Sequence, residues 1–485
     1  MTKSRLGLLA AFILSLAASV PGAQAATYRT VRLPKSNGFS EPRVSVDNHG
    51  HFWLESNAAN GSAAVWGSMT GLSWKATPTE PAGQTAATTD VDLVTTPSGR
   101  IVETELDDGG INFRTSYSDN GGKTWTVSQG TTFADTDRPW LAADPRPKGK
   151  NVYLLFHNLA SGTATHNMFV ATSTDGGANF GKPVPVTLPG SQAWSDLQCA
   201  DSGGPSNMFV APPGSAHPGR VYVAWNTRSS GKQDGVDTGP SGGCGASVTG
   251  TFEINVVGAT KIWLAWSDTP ADPGSWHDSL ALDDNKSGKL VSYQLAPGAV
   301  DSRGNVYVVY DESLHPYPDY DGAPVKYIWA RGNLKRWSRP VPVARGGGPG
   351  HVLPHIVAGA PGKLVLAYWT GQKQGKKIHW FTTIAQVFGA LSRHPSIHAT
   401  RVSGISADTG TASILMGACD QNKQTGGVNN GFACNRSADV WGIALTPRCD
   451  VTITWPVRNN SKKSREATYA TTQTGGRRVC RRRPG

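Results

Sequence analysis

Six times along this 485-residue chain, an apolar run, a turn containing glycine and a second apolar run follow one another. The copies are "PRVSVDNHGHFWLE" from Pro42, "DVDLVTTPSGRIVETEL" from Asp90 and "RPWLAADPRPKGKNVYLLF" from Arg138, then "NMFVAPPGSAHPGRVYVAW" from Asn207, "PGAVDSRGNVYVVY" from Pro297 and "PHIVAGAPGKLVLAYW" from Pro354. A third apolar run follows each, at 64–74, 112–125, 168–180, 261–276, 326–337 and 377–384. "WSRPVPV" after Arg336 echoes "FGKPVPV" after Asn179, which supplies a fourth strand. A supersecondary unit copied at a fixed period packs on its neighbours rather than around one core, so the chain escapes the size limit of a single core. Four strands repeated six times predict an all-β fold, a six-bladed β-propeller of four-stranded blades. The 57 glycines and 32 prolines fit many short strands between tight turns.

The ends of the chain differ from its middle. Lys3 and Arg5 precede the apolar stretch Leu6 to Val20, and Ala23-Gln24-Ala25 reads as a cleavage site, so residues 1–25 are expected to be a secretory signal peptide. That stretch is shorter than the ~20 residues a spanning helix needs, and the mature chain is expected to be exported, monomeric and free of membrane spans. Six cysteines, Cys199, Cys244, Cys419, Cys434, Cys449 and Cys480, suit an oxidising compartment. Pairing of sequence neighbours is the expectation, because each pair closes a short loop; no C-x-x-C spacing suggests zinc. The net charge of +11 is uneven: residues 447–485 hold ten Arg or Lys against Asp450 and Glu466. With Lys3 and Arg5 also set aside, the propeller body carries only +1, which argues against a nucleic-acid-binding face. Residues 26–446 are therefore read as the propeller. Residues 447–485 are read as a small basic β appendage held by one disulfide, which could meet an anionic cell-wall polymer.

Between the third and fourth strands stand "SYSDNGGKTW" and, 55 residues on, "TSTDGGANF". Ser173, Asp175, Gly177 and Phe180 match S-x-D-x-G-x-x-[WF], and Ser118, Asn120, Gly122 and Trp125 match it with Asn in the Asp position. On these residues the chain resembles the sialidase-like propellers that carry the Asp-box (BNR) repeat, over roughly residues 40–445. The box itself reads as structural: short polar side chains bond backbone N–H groups in a tight turn, and the glycines supply positive φ.

What the resemblance implies for chemistry is more demanding. A sialidase clasps the carboxylate of an acidic sugar with three arginines, attacks with a tyrosine assisted by a glutamate, and uses an Asp as acid and base. Arg43, Arg138 and Arg228 are the candidates for the clasp, with Asp90 beside them on the substrate-binding rim. Tyr310 and Glu312 are the candidate nucleophile pair, and Asp137 the candidate acid. The family's R-I-P phrase is out of place, however: Val31-Arg32-Leu33-Pro34 comes early, and Ser40-Glu41-Pro42 stands where the phrase should fall. Other polar residues expected around the mouth are Glu41, Glu55, Asp92, His157, His351 and His355. No P-loop, dinucleotide fingerprint, H-E-x-x-H or G-x-S-x-G occurs, and no cofactor or metal is expected. The sequence thus points to a glycan-directed propeller, an exo-glycosidase of the sialidase type or, alternatively, a non-catalytic glycan- or wall-binding protein. "PGAVDSRGNVYVVYD" also resembles the NHL repeat of scaffold propellers.

Overall fold

A computed structural model describes residues 25–58, 63–81, 88–107, 113–131, 136–158, 167–197, 205–227, 259–287, 289–291, 295–313, 323–375, 377–406, 441–457 and 467–480. The first described strand is β1 (Thr27–Arg32). Blade 1 then runs β2 (Phe39–Val46), β3 (Phe52–Ala58), β4 (Ala63–Ser68) and β5 (Lys75–Ala76) from the axis outward. Blade 2 repeats the order with β6 (Thr88–Thr95), β7 (Ile101–Asp107), β8 (Phe113–Ser118) and β9 (Thr126–Val127), and blade 3 with β10 (Thr136–Ala143), β11 (Val152–Asn158), β12 (Met168–Ser173) and β13 (Val184–Pro185). A one-turn helix, α1 (Gln192–Leu197), leads to blade 4: β14 (Asn207–Val210), β15 (Val221–Thr227), β16 (Lys261–Ser267) and β17 (His277–Asp283). In blade 5 both β18 (Leu290–Val291) and β19 (Gly298–Val300) pair with β20 (Val306–Ser313), followed by β21 (Val325–Ala330) and β22 (Val341–Ala344). Blade 6 is β23 (His351–Ala358), β24 (Lys363–Gln374), β25 (Lys377–Phe388) and β26 (Ser396–Arg401).

The ring has seven blades, not the expected six. β27 (Gly442–Leu445), β28 (Val451–Val457) and β29 (Ala467–Gly475) form three strands of the last blade, and β1 from the other end of the chain adds the fourth, in the order β1-β29-β28-β27. Thr27 pairs with Gly475 and Arg32 with Tyr469. The residues read as an appendage are therefore ring material. No contiguous window of sequence contains this blade, which is why counting local repeats missed it. Among the described cysteines, Cys449 and Cys480 are bonded and brace the same blade, as neighbour pairing predicts. Cys199, Cys244, Cys419 and Cys434 lie outside the described residues.

The sequence folds this way because a blade's middle strands have no solvent face. All seven side chains of β15 and all eight of β20 are buried, and both open as continuous apolar runs, VYVAW and VYVVY, rather than as alternation. Buried apolar clusters fill six of the seven junctions between successive blades. Val102 and Leu106 meet Leu154 and Phe156 between blades 2 and 3, and Tyr153 and Leu155 meet Val223 and Trp225 between blades 3 and 4. Similar clusters join blades 4 to 5, 5 to 6, 6 to 7 and 7 to 1. At the closing junction, a Cβ on Gly442 would meet the Val44 backbone N at 2.6 Å, so only glycine lets β27 lie this close to β2.

The turns after the third strands behave as their chemistry requires. Ser118 Oγ accepts from Gly122 N at 2.9 Å, and Asn120 Oδ1 accepts from Lys123 N and Thr124 N. Ser173 and Asp175 repeat the pattern on Gly177, Ala178 and Asn179. Phe180 is buried between blades 2 and 3, whereas Trp125 is only half-buried. These turns are structural hardware at the far ends of strands that begin near the mouth.

Candidate functional site

Inner strands of all seven blades line an axial cavity of ≈ 350 Å³. Its wall carries Arg43, Asp92, Asn207, His355 and Trp441 among mostly apolar residues. The polar side chains gather at the end where the inner strands begin, and the local backbone explains why. Registers slip between Ser40 and Arg43, Thr88 and Val91, Asp137 and Trp140, and Val352 and His355. Three of these bulges carry the same dipeptide shape, Glu41-Pro42, Arg138-Pro139 and Leu353-Pro354, with φ of 51°, 53° and 52° at the first residue. Proline cannot donate to the ladder, so it belongs where pairing is interrupted. A left-handed non-glycine residue costs roughly 1–3 kcal/mol and persists only where the surroundings enforce it. Here the bulge re-aims Glu41 and Arg138 at the mouth end of their strands, and both are buried, at 3% and 5% exposure.

Three blades are tied together at this end. Arg43 Nε donates to Asp92 Oδ1 at 2.9 Å, and the guanidinium lies 4.8 Å from the Trp140 ring centre. Asp92 Oδ2 accepts from Leu141 N at 2.8 Å, so one carboxylate joins blades 1, 2 and 3. Next to it, Asp137 Oδ1 accepts from Arg138 N at 2.8 Å, and its Oδ2 lies 3.2 Å from His157 Nε2 and 3.9 Å from Arg138 Nε. Burial pushes the Asp137 carboxyl up, but the His157 hydrogen bond and charge, with Arg138, outweigh it and hold the group at about 2. Asp137 is thus a fixed anion. On the other side, burial and the nearby Arg43 charge lower His355 to about 3, leaving a neutral imidazole edge-on to Trp441 with ring centres 5.3 Å apart.

The remaining expected site residues are placed differently. Tyr310 is fully buried with Ile262, Val308 and Ile328 between blades 4 and 5, and burial raises its phenol well above the usual range. Glu312, on the same strand, bonds Lys326 Nζ at 2.6 Å and pairs with Lys289 Nζ at 3.1 Å. Neither lines the cavity. Asp90 is half-buried in the bulge of β6, two positions before Asp92 of the cavity wall. Arg228 lies outside the described residues. The structure therefore brings Arg43, Asp137 and Arg138 to neighbouring blades and keeps Tyr310 and Glu312 apart from them.

Sequence reasoning overlooked Trp140 and Trp441 at the mouth and Glu103 and Glu105 beside it. The two glutamates sit on β7 with exposures of 1% and 5%, facing Glu55 of β3, which is 0% exposed. Burial, then the like charges of Glu103, Glu105 and Asp92, raise Glu55 well above the ordinary glutamate range; burial and Glu105 do the same to Glu103.

No protein-family profile matches the chain, and no curated protein matches it. Solved structures do. An ulvan lyase, described as a new family of polysaccharide lyase and solved bound to -[GlcA(1-4)Rha3S]-, has a TM-score of 0.52 at 11% identity, over 91% of this chain and 95% of that one. An alpha-L-arabinofuranosidase from Fusarium graminearum, in complex with an iminosugar inhibitor, gives 0.43 at 9% identity over 93% and 97%. A protein of unknown function from Dyadobacter fermentans gives 0.44 at 13% identity over 75% and 99%. At such identities the likeness is one of fold.

Proposed function

We propose that this chain acts on an acidic glycan, held at the mouth that blades 1 to 3 build. The observation that carries the reading is the convergence of Glu41, Arg43, Asp92, Asp137 and Arg138 on three consecutive inner-strand starts, at the edge of a cavity walled by aromatic and neutral imidazole groups. Guanidinium groups pair with carboxylate or sulfate through a planar fork, so two arginines at this rim suit an acidic saccharide. The fold likeness to a lyase solved with an acidic disaccharide repeat supports the same substrate class. An export signal at 1–25 and a formed disulfide would place the reaction outside the cell, where such polymers occur. Among the described residues, no helix is long and apolar enough to cross a membrane.

Two reactions are open to such a site, and products separate them. Elimination next to a uronate leaves a conjugated double bond that absorbs in the ultraviolet; hydrolysis leaves a reducing end and no unsaturation. The experiment is a panel of polyuronates, sulfated uronate polymers and sialosides, read by both signals, with Arg43→Ala as the control expected to lose turnover. Sialidase-type hydrolysis with Tyr310, Glu312 and the three arginines is one arm of that panel, tested directly by Tyr310→Phe on a sialoside. Absence of both product and binding across the panel would end the proposal. A non-catalytic glycan-binding role is the second reading, favoured by one feature: the carboxylates of Asp92 and Asp137 are already committed to Arg43 and His157. Saturable binding without product would select it.

A further inference from the structure

Six of the seven blade junctions are filled by apolar clusters. Among the described residues, none spans blades 1 and 2, although their strands pack closely. The space instead receives three carboxyl groups. β3 presents Glu55 toward blade 2, and β7 presents Glu103 and Glu105 toward blade 1, because the opposite faces of these strands carry Leu54 against blade 7 and Val102 and Leu106 against blade 3. One oxygen from each carboxyl lies within 4.8 Å of the other two. Ser116 Oγ donates to Glu103 Oε1, and Arg114 stands directly opposite Glu105 in the β7–β8 register. Glu55 is different: it is 0% exposed, and neither of its oxygens has a hydrogen-bond partner; Glu103 Oε2 has none either. A fully buried carboxyl with both oxygens unmet is costly unless something else occupies its coordination space.

We propose that this junction is a divalent-cation site in which Glu55, Glu103 and Glu105 are the carboxylate ligands and calcium is the ion. Three oxygens separated by at most 4.8 Å can all lie within about 2.8 Å of a common point, close to the 2.3–2.6 Å of calcium–oxygen bonds. Magnesium requires shorter contacts and a near-ideal octahedron, so it fits less well. With Asp92 counted beside the three glutamates, four carboxylates face the guanidinium groups of Arg43 and Arg114, and the two negative charges left over are what one divalent ion balances. Its consequence is structural: the ion takes the place of an apolar plug and clamps β3 to β7. Arg43 lies directly opposite Glu55 in the β2–β3 register, so the clamp also fixes the wall that carries the mouth's guanidinium.

The test uses the whole secreted chain, stripped with a chelator, and does not read activity. Calorimetric titration with calcium chloride should give one ion per chain, and at a hundredfold excess over Kd the Tm should rise by about 3 °C. Glu55→Gln, neutral and of the same shape, should remain folded by circular dichroism and lose the rise; Glu103→Gln should do the same and serves if the first variant does not fold. A wild-type chain with no calcium uptake and no chelator effect would overturn the proposal, leaving carboxyls that share protons. So would a Glu55→Gln variant that keeps the full rise, since the ion would then sit elsewhere.

Discussion

Replacing both Cys449 and Cys480 by Ser measures how much the ring depends on its last blade. The bond joins residues 31 apart, with Cα atoms 5.5 Å from each other, across the hairpin of β28 and β29. Closing a loop of that length removes ~12 cal/mol/K of chain entropy from the unfolded state, worth about 3.7 kcal/mol at 25 °C. The folded state retains its strand pairs and the Arg478 Nε–Asp450 Oδ1 contact at 2.6 Å, so nearly all of the loss should come from the freed unfolded chain. Unfolding entropy of ~2.1 cal/mol/K per residue makes a chain of this length worth about 1 kcal/mol per degree, so Tm should fall by about 4 °C in scanning calorimetry. The transition should stay single, because blade 7 packs on both neighbours through the Trp369, Trp441 and Trp455 cluster and through Ala470. A fall of under about 1 °C would refute the reasoning. So would a separate early transition, which would show blade 7 melting apart from the ring.

Three further outcomes are expected. Trp441→Ala removes a fully buried indole that stacks on Trp369 with ring centres 5.5 Å apart and donates to Leu353 O at 3.1 Å; denaturant unfolding should show a loss of about 3–5 kcal/mol. Asp137 is held down from 3.8 to about 2, so its stabilising contribution is complete above pH 3.8 and is lost as pH falls through about 2. Asp137→Asn should flatten that acid limb in pH-dependent denaturation curves and leave the neutral-pH shape unchanged. Arg43→Ala should weaken binding of an acidic oligosaccharide by about 10–100-fold, the worth of a charge-assisted hydrogen bond, and Arg43→Lys should not restore it, because an ammonium lacks the planar fork; isothermal titration reads both.

Much of this architecture was legible in the residues, and the reasons for the gaps are physical. The hairpins from Pro42 to Pro354 announced six blades because each is a local unit with its own turn chemistry. The seventh was hidden because its strands come from residues 27–32 and 442–475, and pairing between chain ends leaves no local period. Arg43, Asp137 and Arg138 could be anticipated from their places at the starts of inner strands. Tyr310 misled: in "VYVVYDES" the tyrosine looks like the end of a strand facing a loop, yet it faces blade 4, where its ring is core. Glu103 and Glu105 went unnoticed for the opposite reason. "IVETELD" alternates like a strand with one wet face, but in a blade's second strand both faces are covered, so the alternating glutamates are interior groups.

The seam between β1 and β29 has a temporal side. Thr27 and Thr474 touch across 447 positions, so the first described strand is paired by the last. Until β29 has been made, β1 has no mate and blade 1 lacks the Ala470 side of its packing, which leaves unpaired edges open to the wrong neighbour. Moving residues 26–36 to follow residue 480 by circular permutation would turn that longest-range pairing into a local hairpin, and the permuted chain should refold faster to the same ring.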